Sequence, residues 1–239
     1  MTQPTFSVIV PAYDEERLVQ TCLDAISAAA RSLGEPVEII VVDNMSQDRT
    51  REMAIEHGAK VIQVEEKCLS IIRNRGAAAA SGKYLCFIDA DSFMSDNMLV
   101  EVKKALDSGH YVGGGVMNVR TDRSSLGITL TMYAAGAAFL LTRMSLVMFY
   151  TTPEAFRAIG DFNEKLYAIE DADFGRRLKR HGRKLGLRYK NLWSARVTTS
   201  ARKFDEFGDW FIFLHPIRIG RAVFNDREAV YDLWYRPRR

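Results

Sequence analysis

The amino-acid sequence predicts an α/β protein built on a mostly parallel, Rossmann-like sheet that is flanked by helices. Short apolar runs alternate with helical patterns from residue 5 to about residue 107, and this alternation is typical of parallel sheets with helical crossovers. Acidic residues follow three of the apolar runs, as expected where strand ends form a ligand-binding edge. The sequence contains no repeats, low-complexity tracts or Pro- or Ser-rich linkers. We therefore expect one domain over residues 1–239.

Four strands are expected in the first half, each as a short run of apolar and β-branched residues. The first begins at Phe6 and is closed by Pro11. The next two cover residues 37–42 and 60–64, and the second of the four ends at Asp43. The fourth is the segment YLCFIDAD, which ends in two aspartates separated by one alanine.

Four helices are expected to follow these strands. Their apolar residues recur at helical spacing, and glycines or serines stand near their ends. The boundary signals are Gly34 after the first helix, Ser46 and Gly58 around the second, Gly82 after the alanine-rich third, and Ser95 before the fourth.

The second half loses this alternation. Gly113, Gly114 and Gly115 interrupt a strand that begins at Tyr111, which indicates close backbone approach to a ligand or a β-bulge. Residues 124–142 carry no charge, but threonine and glycine dilute their apolar character. A buried or interfacial helix is therefore favoured over a transmembrane one.

Composition excludes several classes of protein. A net charge of +3 is too small to indicate a nucleic-acid partner. Cys22, Cys68 and Cys86 lack CxxC spacing, so we expect buried free thiols in a reducing compartment. The N-terminus shows no secretory pattern, and a cytoplasmic protein is expected. The absence of GxGxxG after the first strand, and of GxxxxGK[ST] throughout the sequence, disfavours common dinucleotide and P-loop sites.

Carboxylates follow three of the predicted strands. They are Asp14, Glu15 and Glu16 after the first, Asp43 after the second, and Asp89 with Asp91 after the fourth. Carboxyl ends of parallel strands share one edge of a sheet, so these side chains are expected to converge. Two neighbouring carboxylates favour a cation between them, and Mg²⁺ or Mn²⁺ suits such oxygen ligands. The alternatives are an Asx-type cap at Asp43 and simple turn residues at Asp89 and Asp91.

Arg73 and Arg75 interrupt the apolar face of the alanine-rich helix. An arginine at this position could reach a diphosphate. The alternative is that both side chains are solvated. Residues two apart on a helix face different ways, so at least one of them is expected to be solvated.

The segment from Ile169 to Gly182 predicts a helix with acids on its inward face. Phe174 and Leu178 form an apolar pair at i, i+4, and Asp171 lies on the same face with Glu170 at its border. An inward acid at a helix start is a candidate general base, with N-capping as the structural alternative. Asp173 is spaced for an exposed salt bridge to Arg177.

Four segments, in order, resemble the inverting family 2 glycosyltransferases with the GT-A fold. They are VIVPAYDEE, VVDNMSQDRT, IIRNRGAAAASGKYLCFIDADS and TPEAFRAIGDFNEKLYAIEDADFGRRL. The likeness covers residues 6 to about 210, and VTTSARKFDEFGDW from Val197 also resembles a segment of a bacterial branch. The resemblance implies a single GT-A domain, with a nucleotide-sugar-binding half over about 1–115 and an acceptor-side half with a C-terminal tail over about 116–239.

The resemblance also implies residue roles. Asp171 would deprotonate the acceptor hydroxyl, with Glu170 in support, during a single displacement on a nucleotide-diphospho-sugar. Asp91 would hold a divalent cation, Mn²⁺ or Mg²⁺, and Asp89 would serve the ribose or the metal. The donor-binding set it implies is Pro11, Ala12, Tyr13, Glu15, Asp43, Arg73, Asp89, Ala90 and Asp91.

Some features depart from the family pattern or stay open. Gly160-Asp161-Phe162-Asn163 replaces the usual Gly-Gly-Phe-Asp, and Ile72 replaces a small residue, so a relative's sugar or acceptor preference does not transfer. His215 is the placeable late histidine for the metal, but a lone histidine is more often structural. The acceptor stays open among a glycan, a lipid-linked molecule and a small molecule. The apolar segment from residue 126 to residue 150 adds the hypothesis of peripheral contact with the inner membrane face.

Two other functions fit parts of the pattern. A sugar nucleotidyltransferase shares the α/β plan, but no glycine-rich loop carrying Lys or Arg follows the first strand. A glycosidase would also use two carboxylates, yet it needs neither a nucleotide pocket nor the Arg73 helix. A non-catalytic nucleotide-binding scaffold is the remaining alternative, and no lost carboxylate supports it.

Overall fold

Strands and helices alternate strictly along the first 80 or so residues and less regularly afterwards. The computed structural model describes residues 3–142, 147–167, 169–210 and 214. The strands are β1 (Phe6–Ala12), β2 (Val37–Asp43), β3 (Lys60–Gln63), β4 (Tyr84–Ile88), β5 (Ser92–Met94), β6 (Tyr111–Thr121), β7 (Met148–Thr151) and β8 (Arg188–Thr199). The helices are α1 (Val19–Leu33), α2 (Thr50–Glu56), α3 (Leu69–Ala78), α4 (Met98–Asp107), α5 (Leu126–Thr142), α6 (Pro153–Ala158), α7 (Glu170–Lys184) and α8 (Arg202–Phe207).

These strands form one mixed sheet in the order β3-β2-β1-β4-β7-β6-β8-β5. The first four pair in parallel, as the sequence predicts. β7 runs antiparallel between β4 and β6 and joins the two halves of the chain. β6 and β8 are parallel, and β5 closes the edge antiparallel to β8. The expected α/β fold is confirmed, with both halves contributing strands to the same sheet.

Each face of the sheet carries its own hydrophobic cluster, because successive residues of a strand point to opposite faces. On one face, Val8 and Val10 of β1 pack with α1 and α4. On the other, Ile9 packs with apolar side chains of α3, α6 and α7. A parallel sheet covered on both faces requires such continuous apolar strands. The three cysteines are buried free thiols, as expected.

Pro11 does not close the first strand. β1 continues to Ala12, and Pro11 pairs with Val42 of β2. On the other side, pairing with β4 ends at Ile9, so the missing N–H of Pro11 leaves no ladder bond unmade. The strand therefore carries two more residues to the sheet edge than the sequence predicts.

Ser46 and Ser95 are not helix caps, in contrast to the prediction. α2 begins at Thr50 and α4 at Met98, and neither has a side-chain cap. Instead, the Ser46 hydroxyl accepts a hydrogen bond from the Asp14 N–H at 3.1 Å, and the Ser95 hydroxyl accepts one from the Arg196 N–H at 2.9 Å. Each serine hydroxyl thus links its own loop to a residue that is distant in sequence.

The glycine run lies within β6, where neighbouring strands approach closely. A Cβ atom on Gly113 would clash with the Tyr150 carbonyl, and one on Gly114 would clash with the Lys190 carbonyl. The register with β8 shifts between Tyr111 and Gly113. The bulge alternative is thus confirmed, and the close neighbour is protein backbone.

The first half of α5 exposes several apolar side chains. Leu126, Leu130 and Tyr133 are exposed, while Ile128 is buried. No helix within the described ranges is long and apolar enough to cross a bilayer. This agrees with the prediction of a buried or interfacial helix over a transmembrane one, and an interfacial position stays a prediction.

Candidate active site

The three predicted groups of carboxylates lie at one edge of the sheet. Asp14 and Glu15 follow β1, Asp43 ends β2, and Asp89 and Asp91 follow β4. These three strands are neighbours and run in parallel, so their carboxyl ends share that edge. The parallel pairing of these strands thus brings together side chains that are up to 77 residues apart in sequence.

Arg73 of α3 organises the centre of the site. Its side chain is only 3% exposed, and its guanidinium contacts three carboxylates. Nη1 lies 2.5 Å from Asp171 Oδ1 and 3.5 Å from Glu170 Oε1, and Nη2 lies 3.0 Å from Asp89 Oδ1. Arg73 is therefore buried, whereas Arg75 is the solvated member of the pair.

Burial and repulsion between neighbouring carboxylates raise the pKa values of Glu170 and Asp171 at the start of α7. For Asp171, loss of solvation raises the pKa most strongly; the Arg73 guanidinium opposes this effect, and the charges on Glu170 and Asp89 add to it. Burial likewise raises the pKa of Glu170. One guanidinium cannot balance three ionised carboxylates, so this cluster favours retention of a proton.

The acids of α7 do not cap their helix. α7 begins at Glu170 with Ile169 at the cap position, and no side-chain cap is formed. Phe174 and Leu178 are fully buried, which directs this face of α7 toward the sheet and Asp171 toward Arg73. Among the described atoms, Glu170 Oε2 is buried without a hydrogen-bond partner.

The Asp173–Arg177 pair forms as predicted, with 2.6 Å between Oδ2 and Nε. It is not the exposed pair that the spacing indicates. Arg177 is partly buried and also donates to the carbonyls of Ile159 and Asp161, each at 2.7 Å. The pair therefore fastens α7 to the loop after α6.

Asp43 is fully buried. Its Oδ1 accepts from the Ser46 N–H at 3.1 Å, and its Oδ2 accepts from Gln63 Nε2 at 3.4 Å. The Ser46 bond is a local Asx-type contact, but it does not cap α2, which begins at Thr50. Asp43 belongs to the same edge as Asp89, and no contact joins its side chain to the Arg73 cluster within the described residues.

A second charged cluster joins Glu15 and Asp91 to Arg202 of α8. Arg202 Nη1 and Nη2 lie 2.5 and 2.6 Å from the two carboxylate oxygens of Glu15. Arg202 Nη2 also lies 3.7 Å from Asp91 Oδ2. Around this cluster, Pro11, Ala12 and Ala90 are buried and Tyr13 is partly exposed.

The sequence provides no direct sign of Arg202. It lies in the segment from Val197 that resembles part of a bacterial branch, but its carboxylate partner is 187 residues away. Only the pairing of β8 with β6 and β5 brings this residue to the edge. The similarity of the surrounding segment is the one signal that could have drawn attention to it.

Asp91 and Asp89 are the residues that could hold a divalent cation. No cluster of three or more His, Cys, Asp or Glu side chains suited to a metal occurs in the described part of the chain. Mg²⁺ and Mn²⁺ need few protein ligands when substrate phosphates supply others. Arg202 already lies 3.7 Å from Asp91, so a cation at this carboxylate would compete with the guanidinium. The two aspartates fit such an ion, and His215 lies outside the described residues.

Comparison with known proteins identifies relatives of this chain. The family model described as "Glycosyl transferase family 2" matches residues 7–163. The uncharacterized glycosyltransferase EpsJ of Bacillus subtilis is 31% identical over 127 residues, which is 50% of this chain and 36% of EpsJ. The first three curated relatives are matched over only 36%, 28% and 31% of their lengths.

Solved structures share the fold. TarS 1-349 of S. aureus in complex with UDP-GlcNAc gives a TM-score of 0.64 at 17% identity, over 96% of this chain and 71% of TarS. A mannosyltransferase of Pyrobaculum calidifontis in complex with GDP-Man and Mn²⁺ gives 0.62 at 16% identity, over 97% of this chain and 69% of the other. These likenesses confirm the GT-A type of architecture.

Proposed function

The chain belongs to glycosyl transferase family 2, and from that premise we propose that it transfers a sugar from a nucleotide-diphospho-sugar to an acceptor hydroxyl. One observation carries the proposal. Arg73 links Asp89, at the edge where a nucleotide would bind, to the partly buried acid Asp171. Such a link suits a reaction in which a donor and an acceptor meet.

The donor would bind along the strand ends. We assign Asp91, assisted by Asp89, to a divalent cation, and the loop after β1 with Asp43 to the nucleoside. When bound, the cation would neutralise charge on the departing nucleoside diphosphate. The neighbouring structures with UDP-GlcNAc, and with GDP-Man and Mn²⁺, support this assignment by analogy of fold. Asp43 is fully buried, so contact with a base requires neighbouring side chains to move.

Asp171 is our proposed general base. The acceptor oxygen would attack the anomeric carbon from the face opposite the diphosphate, while its proton passes to an Asp171 oxygen. The bond from the anomeric carbon to the diphosphate oxygen breaks in the same step, and the configuration inverts. The raised pKa of Asp171 makes its ionised form a stronger acceptor for the hydroxyl proton, and the reaction requires a pH at which this form is present.

Arg73 would act as a positioning residue. The resemblance implies a contact between Arg73 and the nucleotide, but both terminal nitrogens are directed at carboxylates. We therefore assign it to hold Asp171 and Glu170 in place and to stabilise the ionised form of the base. Glu170 is buried beside Asp171 and supports the same arrangement.

Metal-dependent nucleotide binding is the first test. We expect calorimetry to show UDP or GDP binding that strengthens at least tenfold with Mn²⁺ or Mg²⁺, because the cation would offset the repulsion between carboxylates and phosphates. A screen of nucleotide sugars should then give metal-dependent transfer or hydrolysis. Folded protein that binds neither nucleotide with metal would contradict the proposal, and binding without any turnover would favour the scaffold alternative. Formation of a nucleotide sugar from a sugar phosphate would instead indicate a nucleotidyltransferase.

The acceptor side leads to a second proposal. A groove of about 490 Å³ lies between α5 and the end of β6. Its lining combines apolar side chains such as Ile128 and Met132 with Arg120 and hydroxyl groups. Exposed Leu126, Leu130 and Tyr133 lie on the same helix. We propose that this surface meets a membrane or a lipid-linked acceptor.

A further inference from the structure

Arg202 makes a contact that no part of the proposed mechanism uses. Its guanidinium forms a two-point pair with Glu15 and lies 3.7 Å from Asp91. Its Nε is buried and has no hydrogen-bond partner among the described residues. The terminal nitrogens of the guanidinium thus have a strong partner in Glu15, whereas Nε lacks a hydrogen-bond acceptor among the described residues.

The backbone around Arg202 is fixed to the loop that carries Asp91. The Ser200 N–H donates to the Asp91 carbonyl at 2.8 Å, and the Ala201 N–H donates to Asp122 Oδ1 at 2.8 Å. A hydroxyl contact of 3.3 Å also joins Ser92 to Thr199. These bonds place the Cα of Arg202 beside the metal-site loop, so only its side chain needs to move to change partners.

The two contacts of Arg202 differ in strength. The pair with Glu15 has short, two-point geometry, which is the stronger form of an arginine–carboxylate contact. The single 3.7 Å approach to Asp91 is longer than a hydrogen bond. A divalent cation that binds Asp91 would therefore replace this weaker contact, while Glu15 continues to hold the arginine. The freed donors would then face whatever the cation carries.

We propose that Arg202 is a donor-site residue that competes with the divalent cation for Asp91 and, once the cation is bound, donates to the diphosphate of the nucleotide sugar. The inference rests on the proposed function, because it requires a metal at Asp91 and a diphosphate beside it. Guanidinium groups match phosphate oxygens in geometry and stay charged at all relevant pH values. Arg202 thus supplies positive charge to the leaving diphosphate from α8, the helix that follows β8.

The proposal predicts effects of opposite sign on two ligands. In Arg202→Gln, we expect Mn²⁺ alone to bind about tenfold more tightly, because a neighbouring positive charge is gone. With Mn²⁺ saturating, we expect UDP or GDP to bind about 10- to 100-fold more weakly, because a charged hydrogen bond to phosphate is lost. Electron paramagnetic resonance of free Mn²⁺ measures the first affinity, and calorimetry measures the second. A purely structural role would weaken both.

Two further variants guard against misfolding and against nonspecific effects of losing an arginine. Arg202→Met removes the charge but keeps the apolar stem, and it should behave as Arg202→Gln does if the glutamine variant folds poorly. Arg123→Gln is the matched control, because Arg123 pairs with Asp205 of α8 and with Asp209 just after this helix, and its ion pairs within the described residues include neither Glu15 nor Asp91. It should leave both affinities unchanged.

The outcomes separate this inference from the proposed function. Mn²⁺ affinity that is unchanged or weaker in both Arg202 variants would overturn the role of Arg202, with the transferase proposal intact. Nucleotide affinity that is unchanged in both would do the same. Wild-type protein that binds neither Mn²⁺ nor a nucleoside diphosphate would overturn both proposals together.

Discussion

At the scale of single residues, the carboxylates of the site outnumber the arginines that contact them. Arg73 contacts Asp89, Glu170 and Asp171, and Arg202 contacts Glu15 and Asp91. Two guanidiniums thus hold five carboxylates, which leaves net negative charge at the edge. A divalent cation would reduce this imbalance. Because of this excess of negative charge, we expect nucleotide binding to depend on a divalent cation.

Asp171→Asn tests the proposed base. Asparagine keeps the shape of the side chain and an oxygen that can accept from Arg73, but it cannot take up a proton. We expect transfer to fall about 10²- to 10⁴-fold, with UDP or GDP affinity within about twofold of wild type. Steady-state kinetics and calorimetry measure the two quantities.

Asp173→Asn is the control on the same helix. Asp173 pairs with Arg177 rather than with Arg73, so its loss should lower stability by about 1.5–3 kcal/mol, the usual range for a hydrogen bond to a charged group, and leave transfer nearly unchanged. Full transfer activity in Asp171→Asn would remove this residue from the base role. Equal losses in both variants would indicate a structural effect.

The pH dependence of transfer follows from the raised pKa of Asp171. A base with a raised pKa becomes protonated at a pH where an ordinary aspartate is still ionised, so kcat/KM should fall on acidification at a pH above about 4. Glu170→Gln removes a neighbouring negative charge that raises the pKa of Asp171, and the acidic limb should move to lower pH. Rates measured across pH at one saturating Mn²⁺ concentration check the direction. A limb that stays fixed, or moves upward, would contradict the assignment.

At the scale of elements, the carboxylates of the site lie at strand ends and at a helix start, and Arg73 lies in the middle of a helix. β1, β2 and β4 deliver carboxylates to the edge, α3 delivers Arg73, and α7 delivers the inward acids. α5 differs from these elements, because Leu126, Leu130 and Tyr133 in its first half are exposed, although Ile128 is buried. An exposed apolar helix beside a groove is typical of an interface with lipid or another partner.

A vesicle flotation assay tests the role of α5. We expect the protein to float with anionic phosphatidylglycerol vesicles, and a Leu126→Ser, Leu130→Ser double variant to partition at least tenfold less, because each leucine loses about 1.5–3 kcal/mol of apolar burial. Leu185→Ser, at an exposed leucine next to α7, is the matched control and should float like wild type. Absence of flotation by the wild type would count against membrane contact.

At the scale of the whole molecule, one sheet unites the two halves of the chain. β7 joins the parallel strands of the first half to β6 and β8 of the second. The donor-side carboxylates and the acid of α7 therefore belong to one continuous framework, and Arg73 connects them across it. Because the chain covers only about a third of its first curated relatives, its own donor and acceptor have to be found by direct assay.

The sequence by itself determined the α/β plan, the strand-end carboxylates and the inward direction of Asp171. These follow from local periodicity and strand polarity, which neighbouring residues encode. Only the tertiary structure decided that Arg73 binds three carboxylates, that Asp43 is covered, and that Arg202 meets Glu15. Those contacts join residues 16 to 187 positions apart, and they depend on the sheet order around β7 and β8. Pairing across such distances is set by the packing of the whole sheet, which local patterns do not specify.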